Sequence, residues 1–88
     1  MIFLYVIVGS ITTATRLKKQ LEAGSAYHAE VVHTPAGLAK SSGCSYSVRT
    51  DNNAYSLLRP LSDASGIRIK KIYMEEIVGG ERVFHAVP

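Results

Sequence analysis

The only cysteine of this 88-residue chain, Cys44, stands in the stretch "KSSGCSYSVR", residues 40–49. A cysteine does nucleophilic or carrier chemistry as the thiolate, and an unperturbed thiol titrates near pH ~8.5, so a working Cys44 needs positive surroundings. The sequence offers several groups that could supply them. Ser10, Thr12 and Thr13 in "GSITTATR" open a predicted helix, whose first amides and partial positive charge favour an anion. Lys40 adds charge on the approach to Cys44, and Ser41, Ser42 and Gly43 form a hydrogen-bonding cover. His33, at the end of a predicted strand, is a candidate base or imidazolium. The competing reading is plain: a free cysteine most often packs as a small apolar side chain, and a strand-end histidine is most often simply solvated. His28 and His85 stand without companions and receive no role. Arg49 is removed by distance, because five residues of strand place it ~16 Å from Cys44.

Other chemistries find no footing. One cysteine makes neither an intramolecular disulfide nor a thiol pair for zinc, so neither a metal nor a cofactor is expected, and a reducing, cytoplasmic setting suits the chain. "VGSITTATR" has one glycine and no Gly-Lys-Ser, unlike a phosphate-binding loop. So short a chain offers no evident cleft for a Cys-His-Asn hydrolase, which points to a carrier or binding protein rather than a turnover enzyme. The formal charge of +3 comes from basic residues scattered along the chain without aromatic interleaving, which disfavours nucleic acid as a partner and reads as a solvated surface. The opening "MIFLYVIVGSITTA" mimics a leader peptide but lacks the basic start, and its apolar run, Ile2 to Val8, is too short to span a bilayer.

That run, β-branched and aromatic, reads as a central strand covered on at least one face by helices. "GSITTATRLKKQLEAG" follows as a helix with Ser10 as N-cap, Ile11, Ala14, Leu17 and Leu21 as its inward stripe, and Gly24 as its C-cap. "AYHAEVVHT" is a second strand, and "PAGLAKSSG" holds at most a short helical turn. "CSYSVR" alternates, with Cys44, Tyr46 and Val48 on the helix-facing side and Ser45, Ser47 and Arg49 on an exposed one. Thr50 to Asn52 then supply caps for a second helix with Ala54, Leu57, Leu58 and Leu61 inward, and Pro60 predicts a break in it or a fresh turn starting near it. "IRIKKIYM" is a fourth strand whose phase slips at Lys70 and Lys71, as a bulge would cause. Gly79-Gly80 marks a hairpin, so the tail adds an edge strand or is lent to a second copy of the chain.

The expected architecture is α+β: a ferredoxin-like βαββαβ sandwich, one antiparallel sheet with two helices on one face, plus a C-terminal strand or hairpin. Residues 1–75 form the domain and 76–88 extend it. In that topology the end of the first strand, the start of the first helix and the start of the third strand meet at one sheet edge, and Cys44 lies there.

The segments "FLYVIVGSITTATRLKKQL", "HTPAGLAKSSGC" and "GIRIKKIY", covering residues 3 to about 73, resemble a family of small domains described as selenium or sulfur carriers. Two departures stand out: the family's Cys-Gly is Cys44-Ser45 here, and the arginine that commonly follows its Thr-Pro is Ala36. The resemblance implies Cys44 as the acceptor of a persulfide or selenopersulfide, loaded and unloaded by donor and acceptor proteins through thiol exchange. The alternative is a non-catalytic interaction or regulatory module that uses the open sheet face or an edge strand, including a homodimer through residues 76–88.

Overall fold

The computed structural model describes residues 2–24, 27–35, 38 and 46–87. Five strands and two helices run in the order β1 (Phe3–Val8), α1 (Ile11–Gly24), β2 (Ala29–His33), β3 (Tyr46–Asp51), α2 (Tyr55–Ser65), β4 (Ile69–Val78) and β5 (Glu81–Val87), with a single 3₁₀ turn, Asn52–Ala54, leading into α2. The molecule is α+β, with one antiparallel five-stranded sheet in the order β2-β3-β1-β4-β5. As expected, β1 lies in the middle and antiparallel to β3, Val6 opposite Val48. The tail pairs with its own chain: β5 is the edge strand beside β4, with Phe84 opposite Glu75.

The pleat sorts β1 into two faces. Leu4, Val6 and Val8 join Val48 and Ile72 in a buried cluster with Ala14, Leu17 and Leu21 of α1 and Leu58 of α2, so both helices cover that face. Each fully buried leucine there contributes about 2 kcal/mol relative to exposure. The stripe predicted for α1 is right from Ala14 onward but not at its start: Ile11 is 50% exposed. The other face is also less open than the alternation suggests. Tyr5, Ile7 and Ser47 on that face are buried, which corrects the reading of Ser47 as exposed. Arg49 does lie there, its guanidinium 4.3 Å from the centre of the Phe3 ring.

Three further details depart from or refine the sequence reading. Thr50 belongs to β3, its hydroxyl donating to the His28 carbonyl at 2.9 Å, and the capping is done by Asp51, whose carboxylate accepts the Asn53 amide at 2.7 Å. Helix α2 runs unbroken through Pro60. Pro60 and Ser56 are both exposed, so the helical hydrogen bond that proline removes lies on the solvent side, where its loss is tolerated. The slip in β4 is a bulge: Ile7 pairs with Lys71 but Val8 with Ile69, which leaves Lys70 as the extra residue.

Candidate functional site at the start of α1

The chain turns from β1 through Gly9 into α1, and Ser10 caps the helix as its type predicts. The Thr13 amide donates to Ser10 Oγ at 3.1 Å, and the Thr13 hydroxyl lies 3.0 Å from the same oxygen. The Ala14 amide donates to the Ser10 carbonyl at 2.9 Å, the first bond of the helix ladder. One of the helix's orphan donors is therefore satisfied internally, while the amides of Ile11 and Thr12 have no acceptor among the described residues. Thr12 is exposed and Thr13 half-buried. This is the geometry of a helix end that still presents two donors and a partial positive charge.

His33 closes β2 opposite Tyr46, the first described residue of β3, and their rings stack with centroids 4.8 Å apart and planes 32° apart. His33 is thus held against the first residue of β3, which follows Cys44 by two positions in the sequence. Cys44 itself lies outside the described residues, as do Lys40, Ser41, Ser42 and Gly43. Of the segment before them, Leu38 is described: it is buried, and its amide donates to the Pro35 carbonyl at 2.8 Å, the short turn expected after Thr34-Pro35. Two hydroxyls at this end of the sheet, Thr34 Oγ1 and Ser47 Oγ, are buried with no hydrogen-bond partner among the described residues. Arg49 belongs to the other half of β3, where Glu30 approaches it at 3.9 Å.

Two side-chain groupings escaped the sequence reading. On the face away from the helices, Arg82 Nε donates to Glu75 Oε2 at 2.6 Å and Arg82 Nη2 donates to the Tyr5 hydroxyl at 3.0 Å, with Phe84 edge-on to Tyr5 at 5.5 Å. The Glu75 carboxylate raises the Arg82 guanidinium further above its already high ordinary value, chiefly through the hydrogen bond. Tyr5 and Arg82 lie 77 residues apart, and only the pairing of β1 with β4 and β4 with β5 joins them. The second grouping is basic: Arg16, Arg68 and Lys70 border one shallow cleft with Gly9 and Thr13. In sequence they read as scattered surface charge.

Among the described residues no three His, Cys, Asp or Glu side chains gather as a metal site, and no helix is long and apolar enough to cross a membrane. No curated protein and no solved structure matches the chain. A family model does, that of the family described as "Putative Se/S carrier protein-like", over residues 3–74. The matched span runs from β1 into β4, takes in the α1 cap, the stacked His33 and Cys44, and stops short of β5. With most of its length so matched, the chain belongs to the Se/S carrier protein-like family.

Proposed function

We propose that the protein carries sulfur or selenium as a persulfide or selenopersulfide on Cys44. The observation that carries this reading is the family match over residues 3–74, which encloses the chain's only cysteine. The capped start of α1 supports it, because the Ile11 and Thr12 amides and the hydroxyls of Ser10, Thr12 and Thr13 are donors suited to a sulfur anion. In this reading Lys40, Ser41, Ser42 and Gly43 complete the cover, and His33 is the group that takes the thiol proton. The first four strands and two helices act as a ferredoxin-like sandwich that brings the α1 start and the β3 start to one edge.

Loading is a transfer without net oxidation. The Cys44 thiolate attacks the terminal sulfur of a donor persulfide, a new S–S bond forms on Cys44, the donor's S–S bond breaks, and the donor leaves as thiolate. Unloading is the same step with an acceptor thiolate as nucleophile, and selenium follows the same course through an S–Se bond. The partners are accordingly donor and acceptor proteins with reactive thiols, in the cytoplasm.

Incubation with a cysteine desulfurase and cysteine, followed by intact mass spectrometry, tests the proposal. The expected result is a single added sulfur, reversible by dithiothreitol and absent from Cys44→Ser. A wild-type protein that gains no sulfur under conditions that load a known persulfide acceptor overturns it.

A further inference from the structure

The β4 bulge decides where Lys70 goes. Val6 faces Ile72 on the helix side of the sheet, so an unbroken register would set Lys70 opposite Val8, inside the core. The extra residue hands that place to Ile69, which packs against the core cluster, and leaves Lys70 exposed. Its side chain runs past Gly9, Cε lying 4.0 Å from where a Cβ on that residue would stand. A few residues earlier, Gly66 ends α2 in the left-handed conformation at φ 73°, which turns the chain so that Arg68 comes to the same cleft. From α1, Arg16 borders it too, one guanidinium nitrogen donating to the Ser65 carbonyl at 3.3 Å.

The result is a cleft of about 200 Å³ bordered, among the described residues, by three cations and no acidic residue. None of the three forms an ion pair among the described residues, whereas Glu22, Glu30, Glu75 and Glu76 each sit against a cation or a histidine elsewhere. Ile11 and Thr12 do not border the cleft and the Thr13 amide is taken by Ser10, so the attraction comes from side-chain charge. Convergent cations around a small concavity favour a ligand with acceptors in several directions and more than one negative charge.

We infer that the Arg16–Arg68–Lys70 cleft binds a phosphate group, either free inorganic phosphate or the phosphate of a small organic ester. The Arg68 and Arg16 guanidiniums supply directional donors, Lys70 supplies a mobile point charge, and the Thr13 hydroxyl is the neutral polar group of the lining. The cleft shares the Thr13 hydroxyl with the donors proposed for the sulfur anion, but its charge comes from Arg16, Arg68 and Lys70, so phosphate binding does not depend on Cys44.

An amide-resolved NMR titration of the full chain at constant ionic strength tests the inference, with inorganic phosphate, a nucleoside monophosphate and sodium chloride as the three titrants. Expected are saturable shifts at Gly9, Thr13, Gly66, Arg68 and Lys70 with both phosphates and none that saturate with chloride. Arg68→Gln and Lys70→Gln should each weaken binding by about three- to tenfold, as the loss of one exposed charged hydrogen bond does. Cys44→Ser should bind phosphate as the wild type does, which separates this site from the carrier reading. Tighter binding of the nucleotide identifies an ester as the ligand, and equal binding identifies the free ion; either supports the site. Linear, non-saturating shifts, or a folded Arg68→Gln/Lys70→Gln double variant that binds phosphate undiminished, overturn it.

Discussion

The Arg82 guanidinium rests on the Glu75 carboxylate, Nε to Oε2 2.6 Å, across the β4–β5 hairpin, and Glu75 is only 8% exposed. Removing the arginine strands a buried carboxylate, which costs more than the pair contributes while intact. Arg82→Met should destabilise the protein by about 2 kcal/mol in urea unfolding, and adding Glu75→Gln should restore much of that. A double variant no more stable than Arg82→Met would show that the Glu75 charge is not the source of the cost.

Ser10 is the cap of α1, so Ser10→Ala should cost about 1 kcal/mol and Ser10→Asp very little. Chemical denaturation of the three proteins measures this. An Ala variant as stable as wild type would mean that the Thr13 amide finds another acceptor.

Around His28 the pH dependence has a definite sign. Glu30 lies below its ordinary value of 4.5, chiefly because of its hydrogen bond with His28 and then through Arg49. A depressed carboxylate adds stability that is present above its unfolded value and is lost as pH falls through the lower folded one. Both groups are exposed, so the effect on stability is small and the titration itself is the better readout. In His28→Ala, carboxyl NMR should show Glu30 moving up toward 4.5, while Glu22, lowered mainly by Lys18, stays low. A Glu30 titration unchanged by the substitution would contradict the contact.

The hairpin that positions Arg82 turns on Gly79 at φ 58° and Gly80 at φ 81°. A β-branched side chain is strained in that conformation, so Gly80→Val should lose about 1–2 kcal/mol, whereas Gly79→Asn, a residue suited to such turns, should be nearly neutral. Thermal unfolding of the two variants checks the difference. Equal stability would argue against a two-residue turn.

For Cys44 the carrier reading predicts alkylation by iodoacetamide with a pH midpoint below the ~8.5 of an ordinary thiol, and a return to that value when the protein is unfolded in urea. A midpoint identical in the folded and unfolded protein would remove the electrostatic part of the proposal.

Much of the fold is legible locally. The unbroken apolar run of β1, the Ser10 cap with Ala14, Leu17 and Leu21, the Gly79-Gly80 turn and the phase slip at Lys70 are patterns of neighbouring residues, and each appears in the structure where its pattern lies. The misreadings share one cause. Ser47 looked exposed and Pro60 looked like a break because alternation and propensity describe a residue against its neighbours in sequence, while burial and tolerance depend on what the rest of the molecule sets beside it. Of the candidate site, Ser10, Thr12, Thr13 and His33 are placed by the structure, with the first three at one helix end and the fourth stacked on Tyr46.

By itself the amino-acid sequence determined the element types and order, the lone thiol with its polar approach, and the family resemblance, because these depend on periodicity, capping chemistry and motif, all short-range properties. Only the tertiary structure decided that Tyr5 shares a network with Arg82, and that Arg16, Arg68 and Lys70 meet at one cleft. Those groupings follow from strand register and helix placement. The phase slip at Lys70 is visible locally, but which distant side chains it sets beside Lys70 is decided by the packing of α1 and the end of α2, and no local pattern carries that information.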